Sequence, residues 1–166
     1  MRYVFYLLIM SLVLVIQSSI SPYIKIGGVN PDFFLIMLLS FSIIKGPERG
    51  SLYGLSGGFI EDLMFGRFIG LNSLTKFLTC YITGWGTKNL FKGPAIFTIL
   101  FVFIGSLIYN LLFLLANYIF IPSFQRGNFF TFFIYTAIVN AIFAPIVYNF
   151  VYKIEHFFDY YFNIKY

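Results

Sequence analysis

Charged side chains, cysteines and histidines are scarce in this chain of 166 residues. Only 10% of the residues are charged, whereas about 25% are charged in an ordinary soluble domain. The single cysteine, Cys80, excludes an internal disulfide and any CxxC-type metal or redox site. The single histidine, His156, does not supply a zinc-type ligand set. We therefore expect neither a metal nor a cofactor.

Sequence motifs of the common enzyme classes are also missing. The chain contains no HExxH, no GxSxG and no glycine-rich phosphate loop. The segment EDLMFGR, residues 61–67, invites comparison with intramembrane proteases that use paired glutamates followed by an arginine. Here the second acid is Asp62, the arginine is displaced and no histidine lies in a later span. We reject that interpretation and expect a protein that is not an enzyme.

Apolar and aromatic residues dominate what is present. Hydrophobic residues make up 60% of the chain, with 24 Phe and 13 Tyr, and the mean hydropathy is +0.87. Soluble domains are about 45–50% apolar. The composition therefore predicts an integral membrane protein. The net charge of +5 does not indicate a nucleic-acid partner, because the basic residues are scattered singly among apolar runs.

Six apolar segments, separated by turn-forming or charged residues, predict an all-α, polytopic membrane bundle that occupies residues 1–166 as one domain. The predicted spans are residues 3–20, 33–44, 50–66, 71–86, 95–120 and 129–152. The first resembles a signal peptide but lacks an Ala-x-Ala-like cleavage site, so we expect it to be retained. The second and third are short, and a re-entrant hairpin is the alternative. That hairpin would bury Lys45, Glu48 and Arg49 in lipid, so we prefer two short or tilted spans.

The distribution of basic residues predicts the orientation of the spans. With a cytoplasmic N-terminus, seven basic residues lie inside: Arg2, Lys45, Arg49, Lys88, Lys92, Lys153 and Lys165. Three lie outside, namely Lys25, Arg67 and Arg126, and Lys76 falls within the fourth span. Both termini are therefore expected in the cytoplasm.

Glycines and two acids recur along one face of the third span. Small residues four apart allow two membrane helices to approach closely. Glu61 projects into the centre of the glycine face, and Asp62 lies toward its edge on the side of Gly58. We predict a helix-packing or partner interface made of Gly50, Gly54, Gly57, Gly58, Glu61, Asp62, Gly66 and Gly70.

The acids Glu61 and Asp62 need an explanation, because a carboxylate within a membrane is normally paired or functional. Structural pairing or capping, a ligand or proton role, and contact with a partner protein are all open. Lys76 is the best intramembrane partner for either acid, and such an ion pair would offset part of the burial cost. The alternative is that Lys76 extends toward the outer interface; we favour pairing.

Three asparagines are candidates for interhelical hydrogen bonds. Asn110 and Asn117 are seven residues apart and share one face of the fifth span, and Asn140 on the sixth span can face them. Such bonds contribute about 1 kcal/mol or less each. No ligand is needed to explain these residues.

The segment NPDFFLIMLLSFSIIKGPERGSLYGLSGGFIEDLMFGRFIGLNSLTKFLTCYITGW, residues 30–85, resembles the core of the MreD family of rod shape-determining membrane proteins of bacteria. The similarity covers roughly residues 28–90. It rests on Pro31–Asp32, a basic turn followed by Gly50, the Gly58-x-x-x-Asp62 step, the Gly70-x-x-x-Leu74 opening, and small residues near Tyr81 and Gly84. Glu61 departs from the family pattern, which leaves open which carboxylate is functional.

The resemblance implies a non-enzymatic scaffold of the cell-elongation machinery, multi-pass in the bacterial cytoplasmic (inner) membrane. Its implied partners are an MreC-like membrane protein, a peptidoglycan transpeptidase and glycosyltransferase, and indirectly the MreB filament. It also implies a fold similar to the substrate-binding subunits of energy-coupling-factor transporters.

The main alternative is that the chain is itself a vitamin or small-molecule transporter subunit, with Asp62, Asn110 and Asn140 lining a pocket. Such subunits usually carry an Ala-x-x-x-Ala surface on their first span, and LLIMSLVLVIQSSIS, residues 7–21, has no such pair. A lipid flippase or other carrier is a third possibility, supported only by the intramembrane charges.

Overall fold

The computed structural model describes residues 2–66, 68–88, 95–120 and 129–162. Its α-helices are α1 (Arg2–Ile20), α2 (Phe33–Lys45), α3 (Pro47–Phe65), α4 (Leu71–Thr87), α5 (Ala95–Phe120) and α6 (Phe129–Phe162), with a short 3-10 helix at Ser21–Tyr23. The described ranges contain no β-strand, only an isolated bridge between Ile26 and Val29. The predicted all-α class with six helices is confirmed for this part of the chain. Arg67, Lys92, Arg126 and Lys165, which entered the orientation argument, lie outside it.

Helix α2 is the centre of the bundle, because it packs against each of the other five α-helices. Residues Phe34–Ile43 are all buried, as expected for a helix that is apolar on every side. At 1.5 Å per residue, its 13 residues extend about 20 Å, which is less than the hydrocarbon core of a bilayer. The short length is tolerated because protein, rather than lipid, surrounds α2.

Helices α5 and α6 have the length and composition of membrane spans. Ile96–Ile119 and Thr131–Tyr160 are long and apolar enough to cross a bilayer, and only 28% and 33% of an 18-residue apolar stretch in each are buried inside the protein. A core helix of a soluble protein would be mostly buried. The exposed apolar side chains of α5 and α6 are therefore suited to contact with lipid. Helix α6 continues to Phe162, ten residues past the predicted end of the sixth span at residue 152.

Helix α1 lies at the periphery and contributes one stripe to the core. Tyr6, Met10 and Leu14, four residues apart, are buried. The ring of Tyr6 lies 5.4 Å from that of Phe41 and 5.2 Å from that of Tyr53. Most of the remaining surface of α1 is apolar and exposed, so α1 packs on the bundle through a single narrow face.

Candidate functional site

Asp62 is buried and caps the first turn of α4. Its Oδ2 accepts hydrogen bonds from the backbone N–H of Gly70 at 2.9 Å and of Ser73 at 3.0 Å. Its Oδ1 accepts from the backbone N–H of Asn72 at 3.1 Å and from the side-chain amide of Asn72 at 2.9 Å. A carboxylate is favourable at a helix N-terminus, where backbone N–H groups lack helical partners. With both oxygens bonded twice, Asp62 joins α3 to the start of α4.

Glu61, rather than Asp62, forms the ion pair with Lys76. The Lys76 side chain is fully buried, whereas that of Glu61 is 21% exposed. The ammonium of Lys76 also lies 4.7 Å from the ring centroid of Phe34 and 5.5 Å from that of Tyr109. These contacts are within the range of cation–π attraction. The paired carboxylate and the two rings together explain how a lysine is accommodated inside the bundle.

Asp32 is the centre of a hydrogen-bond network that involves four helices. Its carboxylate accepts from Leu35 N at 2.9 Å, which caps α2, and from the amide of Gln17 in α1 at 3.1 Å. Its backbone N–H donates to Oδ1 of Asn140 in α6 at 2.9 Å. The amide of Asn140 in turn donates to the hydroxyl of Ser106 in α5 at 3.1 Å. A continuous hydrogen-bond chain therefore connects α1, α2, α6 and α5.

A further bond ties α5 to α4, since the Tyr109 hydroxyl donates to Oδ1 of Asn72 at 3.1 Å. Together these groups form one level of the bundle, which we call the polar layer. It consists of Gln17, Asp32, Glu61, Asp62, Asn72, Lys76, Ser106, Tyr109 and Asn140. The layer lies where α1 and α3 end and where α2 and α4 begin.

The glycines of α3 contact other helices of the same chain. A Cβ atom at Gly58 would lie 2.5 Å from Cα of Ser73, and one at Gly54 would lie 2.6 Å from the carbonyl oxygen of Lys76, both in α4. Gly50 and Gly57 lie against α2, where a Cβ would clash with Ser42 and with Phe34 and Leu38, respectively. The glycine face is therefore occupied by α2 and α4.

The two remaining glycines of the predicted interface lie at helix termini. Gly66 follows α3, and its N–H donates to the carbonyl of Asp62 at 2.9 Å. Gly70 precedes α4 with a φ of +105°, which an L side chain rarely adopts. That conformation directs the Gly70 N–H to Asp62, so the turn and the cap depend on each other.

The three asparagines do not bond to one another. The amide of Asn110 lies 3.5 Å from the carbonyl oxygen of Phe133 in α6, which is a weak contact. The amide of Asn117 donates to the carbonyl of Phe113 within its own helix at 2.7 Å. Of the three, only Asn140 belongs to the polar layer.

A second polar cluster lies at the opposite end of α2. Lys45 forms an ion pair with Glu155 of α6 and lies 3.7 Å from Asp159. The hydroxyl of Tyr6 in α1 donates to Oε1 of Glu155 at 2.9 Å. The cation sits at the C-terminus of α2, where the helix dipole favours it. Hydrogen bonds and ion pairs thus connect α1, α2 and α6 at both ends of α2.

Sequence reasoning missed several residues of the polar layer. Asp32 could have been recognised, because an Asp directly before an apolar run is a typical N-cap. Asn72, close to the chain reversal at Gly70, offered a weaker signal. Ser106 and Tyr109 gave none, because their partners are distant in sequence and depend on how the helices pack.

The chemistry available to the polar layer is mainly structural. The Ser73 hydroxyl donates to the carbonyl of Leu55 at 2.9 Å, and Cys80 is completely buried. Within the described residues, no three His, Cys, Asp or Glu side chains come together in a way that could hold a metal ion. The carboxylates of the polar layer bond backbone N–H groups and a buried lysine. Such bonds fix the register of helices and do not activate a nucleophile.

Comparison with models of known protein families identifies the family of this chain. The model of the family described as rod shape-determining protein MreD matches residues 1–154, which is all but the last twelve residues. The chain belongs to the MreD family. The resemblance predicted from residues 30–85 is confirmed and extends through α5 and most of α6. MreD proteins are bacterial membrane proteins that determine rod shape, and theirs is not a known enzyme family. No curated protein and no solved structure matches the chain significantly.

Proposed function

We propose that this MreD protein is a non-enzymatic scaffold of the bacterial cell-elongation machinery. The observation that carries the proposal is the family match over residues 1–154. In this proposal the six helices cross the cytoplasmic membrane, with both termini in the cytoplasm. Lys45, Arg49, Lys88 and Lys153 then lie on the cytoplasmic side, as the positive-inside rule requires.

The partners that we propose are an MreC-like membrane protein, a peptidoglycan transpeptidase and glycosyltransferase, and indirectly the MreB filament. The distribution of polar groups supports a role in binding other membrane proteins. Asp62 and Lys76 are used inside the bundle, whereas the outer surface of α3 presents apolar side chains. Those that are exposed include Leu52, Leu55, Phe59 and Leu63. Such a surface can contact lipid or the transmembrane helices of a partner.

The geometry changes which residues we propose for partner contact. Gly54 and Gly58 lie against α4, so a partner helix cannot use them unless α3 and α4 separate. Asp62 is enclosed by its own hydrogen bonds. Glu61, whose side chain is partly exposed, is the acid that we propose for contact outside the bundle.

The transporter alternative gains no support from the site. It requires Asp62 and Asn140 to face a bound substrate, but the Asp62 carboxylate caps α4 and Asn140 bonds Asp32 and Ser106. A ligand would have to replace these bonds. We therefore keep the scaffold as the proposed function.

Depletion of the protein in its own bacterium tests the proposal. We expect rod-shaped cells to widen and become round, and the incorporation of lateral peptidoglycan to lose its pattern. Expression of the wild-type gene from a plasmid should restore both, with membrane abundance checked by immunoblotting. Cells that remain rod-shaped with normal incorporation after complete depletion contradict the proposed role.

A further inference from the structure

An apolar groove lies on the outer surface of α3. Its lining includes Tyr6 and Leu7 of α1, side chains of α3 between Leu52 and Phe59, and Ser73 of α4. The groove has a volume of about 580 Å³. Because Leu7, Leu52 and Phe59 are exposed, the groove is open to whatever surrounds the bundle.

The hydroxyl groups that line the groove already donate hydrogen bonds within the protein. The Ser56 hydroxyl donates to the carbonyl of Leu52 at 2.9 Å, and the Ser73 hydroxyl donates to the carbonyl of Leu55 at 2.9 Å. The Tyr6 hydroxyl donates to Glu155. A polar ligand would have to replace these bonds, whereas a hydrocarbon chain leaves them intact. The groove is therefore suited to hydrocarbon.

The length of the groove matches one leaflet of a bilayer. Arg49 in the first turn of α3 and the exposed Trp85 near the end of α4 lie at a similar level, since a Cβ atom at Gly84 would lie 2.7 Å from Cα of Pro47. Arginine and exposed tryptophan are typical of a membrane–water boundary. Phe59 lies ten residues after Arg49, about 15 Å along α3, which is half of a hydrocarbon core of about 30 Å. A lipid chain has this reach, whereas a membrane-spanning helix requires contact through both leaflets.

Arg49 lies on the face of α3 that carries the groove. At about 100° per residue, Arg49 is rotated by only about 20° from Ser56, which is two turns further along the helix. The Arg49 side chain is exposed. Glu48 is exposed too, but it projects about 100° away from Arg49. The guanidinium of an arginine binds phosphate through paired hydrogen bonds, so the boundary end of the groove carries a group suited to a lipid headgroup.

We propose that α1, α3 and α4 form a binding site for an anionic phospholipid of the cytoplasmic leaflet, with one acyl chain in the groove and the headgroup phosphate at Arg49. The chain covers apolar side chains such as Leu52 and Phe59, and the headgroup meets the only type of side chain at that end that favours it. The site occupies part of the α3 surface that was described above as open to lipid or to a partner. Its assignment to the cytoplasmic leaflet rests on the proposed membrane topology.

Quenching of tryptophan fluorescence by brominated phospholipids tests the site in reconstituted vesicles of the full chain. Trp85 is the only tryptophan, so Trp85→Phe gives a background without a reporter. Phe59→Trp places the reporter in the groove, and Ile142→Trp on α6 is the matched control. The two native side chains are 47% and 59% exposed. Each is two residues from a member of the polar layer, Glu61 or Asn140, and so lies at a similar depth.

The probes are dibrominated phosphatidylglycerol, which is anionic, and dibrominated phosphatidylcholine, which is not. We expect Phe59→Trp to report a binding preference of about fivefold for phosphatidylglycerol, the factor expected from one arginine near a membrane surface. Ile142→Trp should report a ratio near one. Adding Arg49→Gln should lower the ratio at Phe59→Trp toward one. Lys153→Gln, which removes an exposed cation of α6, should leave that ratio unchanged.

Three results would overturn the proposal. Equal ratios at Phe59→Trp and Ile142→Trp would show that the groove contacts lipid without selecting it. Weaker quenching of Phe59→Trp than of Ile142→Trp by both lipids would show that a second copy of the chain covers the groove. A preference that survives Arg49→Gln would remove the headgroup from Arg49.

A second variant tests the groove without changing any charge. Ser56→Phe fills the floor of the groove and should abolish the preference reported by Phe59→Trp, while a size-exclusion profile that matches the parent shows that the variant is folded. A preference that persists in Ser56→Phe contradicts a chain in the groove. The vesicles contain no partner protein and carry the probe in both leaflets. A negative result would therefore leave the scaffold and the topology to be tested separately, by depletion in cells.

Discussion

The α3–α4 pair and the α5–α6 pair are both antiparallel neighbours, yet different interactions specify them. Helices α3 and α4 approach until Gly54 and Gly58 touch the backbone of α4, and Asp62 closes their turn. Helices α5 and α6 are longer, with 26 and 34 residues, and are more apolar. Polar contacts between them include the bond between Asn140 and Ser106 and the weak contact of Asn110 with the carbonyl oxygen of Phe133.

The two pairs of helices therefore contribute differently to the bundle. Close backbone contact and buried carboxylates leave α3 and α4 little freedom in register, since each bond fixes one residue against another. Length and apolar surface anchor α5 and α6 in the bilayer but constrain their register less. Substitutions in the first pair should therefore cost more stability than matched ones in the second.

Lys76→Met is expected to have the largest effect, because it leaves Glu61 without its cation. Removal of one partner from a buried ion pair costs about 3–5 kcal/mol, and the lower end of this range applies here because the Glu61 side chain is 21% exposed. The free energy of unfolding in a mild detergent should fall by about this amount. The double variant Lys76→Met with Glu61→Gln should recover most of the loss, because no unpaired charge then remains. A double variant no more stable than Lys76→Met alone contradicts the importance of the pair.

Asp62→Ala should rank second, because it removes the cap of α4 and leaves the N–H groups of Gly70, Asn72 and Ser73 without their acceptor. Loss of an N-cap costs up to about 2 kcal/mol, and unsatisfied buried groups add to it. We expect about 2–3 kcal/mol in the same unfolding measurement. Asp62→Asn keeps an acceptor oxygen and should lose less. Equal losses for Ala and Asn would show that hydrogen bonding is not what Asp62 supplies.

Gly58→Ala should separate α3 from α4, because its Cβ would meet the backbone of Ser73 at 2.5 Å. Overpacking of this kind typically costs about 1–3 kcal/mol. Gly86→Ala in α4 is the matched control, since the nearest atom to its Cβ is Cε1 of Phe101 at 3.4 Å. The account is wrong about this interface if both variants unfold at the same temperature.

In the second pair we expect smaller effects. Asn140→Ala loses the bonds to Asp32 and Ser106 and should cost about 1–2 kcal/mol, since it leaves buried groups without a partner. Asn117→Ala loses only a bond to a carbonyl of its own helix and should cost about 0.5–1 kcal/mol. Thermal unfolding of the two variants side by side measures the difference. A larger loss for Asn117→Ala would remove the reason for placing Asn140 in the polar layer.

The sequence was informative where a local pattern determines structure. Apolar segment lengths predicted six helices, and the four-residue repeat from Gly50 to Gly58 predicted close packing along α3. The sequence could not determine which of the two acids pairs with Lys76. Glu61 and Asp62 are adjacent, and which one meets Lys76 depends on the rotation of α3 against α4 and on the turn at Gly70.

Contacts between segments distant in the chain were also beyond a single sequence. Asp32 and Asn140 are 108 residues apart and meet only because α2 lies beside α6 in the folded bundle. The three asparagines were expected to face one another, but helical spacing alone does not set how α5 and α6 are rotated. Helix α6 also continues through Phe162, ten residues past the predicted end of the sixth span at residue 152.

Affinity purification of the tagged protein from its native membrane, in a mild detergent with identification by mass spectrometry, tests the scaffold most directly. The account predicts recovery of an MreC-like protein and peptidoglycan synthases with the wild type, and their loss with a Lys76→Met variant that still reaches the membrane. Recovery of paired ATPases and their coupling subunit in place of these proteins would contradict it and identify a transporter component.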